Sequence, residues 1–240
     1  GTGLTYFNMG NPQLNGNVYA WHIHVEANLK KHPKHQSALR FGSGIGYLTK
    51  PYDLNTNKKN KAIGSHFNGN MQIIYKHYFD VSKKGSLVFG LGVTHYSNGN
   101  FKRPNLGINM VHFDIGWLQK FKLYDTPPQK TLPKLFPDNG FEVNFGYARK
   151  QIAVADTRFF NIYSSSLLYY FKHSDTRKWR AGVECFFDRT YPYTLFNEAS
   201  LKNKKAKDIT EVALKVGHEF QFGRLGIVTD LGTYVYRPND

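Results

Sequence analysis

The sequence predicts an all-β protein, a transmembrane antiparallel up-and-down β-barrel of about 12 strands with 8 or 10 as alternatives. Three observations predict it. Apolar and polar residues alternate with a period of two in segment after segment, and turn residues separate the segments. Aromatic residues make up 16% of the chain, with 16 Tyr and 19 Phe, yet the mean hydropathy is −0.51. No run approaches the roughly 18 apolar residues a membrane helix needs. In a barrel only alternate residues face lipid, so hydropathy averages low while each strand keeps one oily side. Finally, several candidate strands are long for a globular sheet, and short connections alternate with longer ones.

Strands are expected near 2–9, 17–29, 38–49, 66–79, 86–97, 107–121, 140–150, 159–172, 178–190, 209–221 and 225–236. In the second, Tyr19, Trp21, Ile23, Val25 and Leu29 oppose His22, His24, Glu26 and Asn28. The third carries Gly42, Gly44 and Gly46, a run with no helix after it, which reads as small lumen-facing residues and not as a phosphate loop. Leu87, Phe89, Leu91 and Val93 form the oily face of the fifth, and Val111, Phe113, Ile115 and Trp117 that of the sixth. The seventh sets Phe141, Val143, Phe145 and Tyr147 against Glu142, Asn144, Gly146 and Ala148. In the ninth, the lone Cys185 falls outward beside Val183 and Phe187 as packing filler, and one cysteine excludes a disulfide framework within the chain. The tenth opposes Val212, Leu214, Val216 and Phe220 to Glu211, Lys215, Gly217 and Glu219. Trp21, Trp117 and Trp179 suit interfacial aromatic girdles.

Connections at 30–37, 80–85, 173–177 and 222–224 are mostly short, and those at 50–65, 98–106 and 191–208 longer, as periplasmic turns and extracellular loops would be. The segment 122–139, with Pro127, Pro128, Pro133 and Pro137, is long on the short-turn side. Eleven segments is an odd count where single-chain barrels are usually even, which leaves one strand miscalled or absent from this chain. Nothing marks a second domain, so residues 1–240 are expected to form one barrel. The chain opens without a signal peptide, which reads as a mature, trimmed or intracellular form.

The net charge is +15 and the pI about 9.7. The cations sit in connecting segments, at Lys30-Lys31, Lys58-Lys59-Lys61, Lys83-Lys84 and Lys202-Lys204-Lys205-Lys207. No nucleic-acid-binding signature organises them, so the expected partners are phosphate-rich or anionic lipid headgroups and not nucleic acid. His22, His24 and Glu26 share a strand face that points into a polar lumen and read as a hydrogen-bond network, not a metal site. His32 and His35, around Pro33, read as a solvated turn.

One strand end carries chemistry. The parity of Leu87 to Val93 continues to His95 and Ser97, placing two polar residues on the lipid side at the extracellular end, where polar groups are expensive unless they do something. Side chains at i and i+2 on a strand point the same way, so the imidazole can serve as general base toward the hydroxyl and later as general acid toward the leaving alkoxide.

The string His95-Tyr96-Ser97-Asn98, followed by Lys102-Arg103-Pro104-Asn105-Leu106-Gly107-Ile108-Asn109, closely resembles the active-site segment of PagL-type lipid A 3-O-deacylases, a barrel family of acyloxyacyl hydrolase-like enzymes. Gly46-Tyr47-Leu48-Thr49-Lys50-Pro51-Tyr52-Asp53, with Asn60, Ala62, Ile63, Gly64 and Ser65, looks like longer members of that family. The resemblance implies Ser97 as nucleophile, His95 as base, Asn105 at the oxyanion hole and Asn98 shaping the turn. It departs at the third member: where the family has glutamate, this chain has Asn109, on the oily face with Val111 and Phe113. Asp114 is turned by the same parity into the lumen with His112, so it is no substitute.

What the resemblance implies is a cofactor-free serine esterase of the Gram-negative outer membrane, removing an ester-linked acyl chain from lipid A of lipopolysaccharide. Asn109 leaves a second expectation open: a weakened or inactive barrel of the same family that binds lipopolysaccharide or acts as a subunit of an outer-membrane assembly. A homodimer is a further partner state.

Overall fold

The computed structural model describes residues 1–121, 137–194, 206–222 and 225–238. The strands are β1 (Thr2–Asn8), β2 (Asn17–Lys31), β3 (His35–Leu48), β4 (Phe67–Asp80), β5 (Gly85–Ser97), β6 (Ile108–Gln119), β7 (Asn139–Lys150), β8 (Phe160–Ser174), β9 (Arg177–Asp188), β10 (Thr210–Phe222) and β11 (Leu225–Tyr236). Their bounds lie within about three residues of those the alternation predicts, because a half-exposed strand is specified residue by residue. Short helical turns at Tyr191–Thr194 and Ala206–Ile209 are the remaining regular elements among the described residues. None of the described helices is long and apolar enough to cross a membrane. Three of the prolines in the 122–139 connection, Pro127, Pro128 and Pro133, lie outside the described residues, as do Lys202, Lys204 and Lys205.

The chain divides into two compact units, Gly1–Pro128 and Gln129–Asp240. The first is a six-stranded sheet in the order β1-β2-β3-β4-β5-β6, the second a five-stranded sheet in the order β11-β10-β9-β8-β7. All neighbours are antiparallel and consecutive in sequence, an up-and-down meander.

Burial in the first unit is inverted relative to a water-soluble sheet. Trp21, Ile23, Ile45, Met71, Ile73, Leu91, Val93, Val111 and Phe113 are exposed, while His22, Asn70, Gln72 and Thr94 are buried. Part of the inner polar layer is paired: Glu26 accepts hydrogen bonds from Arg40 Nε at 2.6 Å and Tyr78 Oη at 2.8 Å. A Cβ on Gly44 would collide with the carbonyl oxygen of Trp21 in β2, while one on Gly42 would meet Gln72 and one on Gly46 the Tyr96 ring, so the glycine run leaves room for its neighbours on the inner side. Strong curvature brings the Phe7 ring of β1 within 5.8 Å of the His112 ring of β6. At the end where β5 finishes, Val18, Ala20, Leu48, Ile63 and Tyr96 form a small apolar core, against which Phe7, Met9, Ile108 and Met110 pack.

The second unit repeats the inversion. Phe141, Val143, Phe145, Leu214 and Val216 are exposed, while Lys178 and Arg180 are buried and paired, Lys178 with Glu219 at 2.8 Å and Arg180 with Glu142 at 3.0 Å. Lys215 bridges Glu184 at 3.0 Å and Asp230 at 3.1 Å. Cys185 is half-buried and free.

Two local expectations are corrected. A register shift between Asn28 and Lys30 interrupts the regular alternation of β2 before its end. His35 belongs to β3 and not to a solvated turn: its backbone carbonyl accepts from the His32 N–H, and its ring stacks on those of His32 (4.4 Å) and His77 (5.3 Å). Ring stacking keeps this stretch in register where residue type alone suggests a loop.

Candidate active site

The end of β5 faces three neighbours across the sheet. Gly69 of β4 lies opposite Ser97, Met71 of β4 opposite His95, and Asn109 of β6 opposite His95 on the other side. Met71, His95 and Asn109 therefore form one row on the outward face, and Ser97 stands beyond it at the strand's last residue. His95 and Ser97 are half-buried, and Asn109 is exposed.

His95 Nδ1 and Asn109 Oδ1 are 2.7 Å apart. With Oδ1 as acceptor, Nδ1 carries the proton and Nε2 keeps its lone pair, the tautomer a general base requires. Behind the ring sits Gly107, with φ of +78°. A Cβ there would come within 2.7 Å of His95 Cε1, so the site needs glycine for backbone and space alike. Gly107→Ala is expected to displace the imidazole and lower any hydrolysis by about 10–100-fold while the strands still form. Parallel rate and circular-dichroism measurements check both halves of that statement.

Ser97 Oγ accepts from Asn105 Nδ2 at 2.9 Å and from the Gly99 backbone N–H at 3.1 Å. Asn105 is oriented in turn, because its Oδ1 accepts the Asn98 N–H at 3.1 Å. Two donors on Oγ leave its own hydrogen free to be given away. No hydrogen bond joins His95 to Ser97. Residues two apart on a strand are separated by about 6.6 Å of rise, so the two side chains must lean together to meet. Apo sites often close such contacts only around substrate.

The loop after β5 is folded by Asn98, whose Nδ2 donates to Ser65 Oγ and to the Lys102 carbonyl, each at 2.8 Å, and whose carbonyl accepts the Phe101 N–H. Gly99 and Asn100 adopt positive φ to complete the turn. A second loop, between β3 and β4, forms its bed. Ile63 pairs with Asn105 as an isolated bridge, and Gly107 N–H donates to the Ala62 carbonyl. A side chain on Gly64 would strike the Arg103 carbonyl at 2.6 Å. Buried Asn60 ties this loop down by donating to the Lys50 carbonyl at 2.7 Å. Asp53 accepts from the Thr56 N–H and hydroxyl and the Asn55 N–H. Those bonds, the Thr56 backbone N–H foremost, hold its carboxyl below the usual carboxylate range. The contribution of these bonds to loop order is therefore present above the ordinary Asp pKa and fades as pH falls through the depressed value.

The sequence misses Gly99, whose N–H holds Ser97, and the role of Gly107; the Gly107-Ile108 step just before β6 is the signal that points to the latter. Across the sheet from the site lies a different row. His112 contacts Asp114 Oδ1 through Nδ1 at 2.9 Å and Thr94 Oγ1 through Nε2 at 3.0 Å, all on the inner face. Asp114 is thus engaged and turned away from His95, as strand parity predicts. The other inward histidines, His22 and His24, lie with ring centroids 5.5 Å apart, and no described group of three His, Cys, Asp or Glu residues could hold a metal ion.

Residues 1–117 match the family model for lipid A 3-O-deacylase (PagL), and residues 139–240 match that for the acyloxyacyl hydrolase C-terminal domain. Each match falls within one of the two compact units. No curated protein and no solved structure matches the chain.

Proposed function

The chain belongs to the lipid A 3-O-deacylase family, and from that membership we propose that it is an outer-membrane serine esterase that removes an ester-linked acyl chain from lipid A of lipopolysaccharide. One observation carries the reading. An outward-facing serine, gripped by an amide and a backbone N–H, shares its strand face with an imidazole whose Nδ1 is occupied. An acyl ester in the surrounding outer leaflet reaches that face without entering the protein.

Ser97 Oγ attacks the ester carbonyl as His95 Nε2 takes its proton, and His95 then returns that proton to the leaving alkoxide. Water hydrolyses the acyl-serine by the same relay in reverse. Asn105 Nδ2 carries two hydrogens, so it can hold Oγ and also offer a donor to the developing oxyanion, and the Gly99 N–H supports it. Asn98 fixes the Asn105 amide, and Asn109 orients His95. The chemistry uses no diffusible cofactor.

The inverted burial supports the outer-membrane location. Large apolar side chains on the outside and paired charges inside suit hydrocarbon around the protein, not water. The reading takes residues 1–240 as a single barrel domain. Extraction only with detergent, and a heat-stable β-sheet signal, are the expected behaviour; a chain that purifies freely from the aqueous fraction would contradict it.

The direct test is to incubate detergent-solubilised protein with lipid A and follow release of 3-hydroxy fatty acid by mass spectrometry. Release is expected, and an unchanged acylation pattern overturns the enzymatic reading. Asn109 favours a second reading, in which the barrel binds lipopolysaccharide or joins an outer-membrane assembly with little catalysis. That reading expects retained lipid binding and no release.

A further inference from the structure

The two loops that build the site are strongly cationic. Residues 49–66 and 98–107 carry Lys50, Lys58, Lys59, Lys61, Lys102 and Arg103 against a single carboxylate, Asp53. That carboxylate is already held by Thr56 and Asn55, and Lys102 is a cation close enough to depress its pKa. Inside the sheets, by contrast, Arg40 is paired with Glu26 and Lys178 with Glu219. Among the described residues, Lys50, Lys58, Lys59, Lys61 and Lys102 make no ion pair, and all five are exposed.

The same loops expose apolar side chains, Leu54, Phe101 and Leu106, the last 80% exposed. Cations and bare apolar groups side by side suit a boundary between lipid chains and charged headgroups. The loops are also locked together beside the nucleophile, through the Ile63–Asn105 bridge, the Gly107–Ala62 bond and the Asn98–Ser65 bond. A headgroup bound by one loop is therefore registered against Ser97, which the other loop holds.

We infer that this cationic rim, centred on Lys58, Lys59, Lys61 and Lys102, is a binding site for phosphomonoester groups on the headgroup of the lipid substrate. It selects phosphorylated over unphosphorylated glycolipid. The inference rests on the esterase reading and deepens it: Ser97 and His95 do the chemistry, while the rim chooses which lipid is presented. Phosphate offers several acceptor oxygens to lysines arriving from different loops, and each lysine adds to the attraction of an anionic headgroup.

The experiment measures binding first, so that it does not depend on turnover. Ser97→Ala protein in detergent is titrated with lipid A and with the same lipid A stripped of phosphate by a phosphatase. Phosphorylated lipid is expected to bind at least tenfold tighter, with the preference shrinking as salt rises. Lys58→Gln/Lys59→Gln/Lys61→Gln is expected to erase most of it, a loss of about 10–100-fold for the phosphorylated lipid alone. In the Ser97 protein the triple variant should raise KM for phosphorylated lipid A and leave kcat, and the hydrolysis of a short uncharged ester, as they were. Equal affinity for the two lipids, or a triple variant that keeps the preference, overturns the inference while leaving the esterase reading intact. Preferential binding without hydrolysis of any ester overturns the esterase reading and leaves the rim. Inorganic phosphate serves as competitor: if it displaces the lipid fully at equal concentration, the site is for free phosphate and the lipid assignment falls.

Discussion

Ser97→Ala is expected to cut fatty-acid release by about 10²–10⁴-fold, to the level set by binding and the remaining oxyanion donors. Removing the serine from an intact serine-histidine-carboxylate set costs about 10⁶ in kcat. Here part of that advantage is already missing, because the imidazole lacks an acid, so the smaller loss is the physically consistent one. The alanine variant keeps the β5–β6 pairing, and with it the His95–Asn109 contact. Intact lipid A should therefore still bind. Time courses of 3-hydroxy fatty acid release by mass spectrometry read the effect, and undiminished release would remove Ser97 from the mechanism.

Asn109→Glu is expected to act in the opposite direction, raising turnover by about 10²–10⁴-fold. Each tenfold corresponds to 1.36 kcal/mol of barrier. Two separate deficiencies of the amide would be repaired. A carboxylate stabilises the imidazolium that forms when Ser97 gives up its proton, which a neutral amide does only weakly. A carboxylate can also only accept, so it always fixes the proton on Nδ1. An amide can present either end to the 2.7 Å contact, and with its NH₂ toward Nδ1 the proton moves to Nε2 and the base is lost. Replacing the aspartate of a triad by asparagine costs about 10⁴ for this combination of reasons. In the Ser97→Ala background the same substitution should change nothing, since the charge acts only through the nucleophile's proton. A glutamate that leaves turnover flat would mean that the rest of the site is not assembled for catalysis, and would favour the lipid-binding reading.

The strands were legible because each has a face that must differ from the other, and the chain records that difference at every second residue. Parity alone places His95, Ser97 and Asn109 outward and Asp114 inward, while the register that sets His95 opposite Asn109 is seen only in the folded sheet. The loops were less legible. Asn98 reaches Ser65 across 33 residues, and no local pattern encodes so distant a partner. Asn105 was found through family resemblance; its grip on Ser97 and its anchorage by the Asn98 N–H emerge only once the loop is folded. The turns at Tyr191–Thr194 and Ala206–Ile209 are each four residues long, too short for a helical period to show. The β2 register shift and the stacked His32, His35 and His77 escaped for a related reason: both depend on neighbouring strands, not on the segment itself.

The inward row of Thr94, His112 and Asp114 has a consequence for how the protein reaches its native pairing. Thr94 and His95 are consecutive, so a slip of one residue between β5 and β6 would exchange the two faces of one strand relative to the other. On the outer-membrane reading Asp114 would then be presented to hydrocarbon, at a cost below the roughly 2–4 kcal/mol of a lysine or arginine near mid-bilayer. In water such a misaligned hairpin would pay far less. On the outer-membrane reading, the bilayer would act as a proofreader during assembly, rejecting the odd-numbered slips that put His95 and Asn109 on opposite faces.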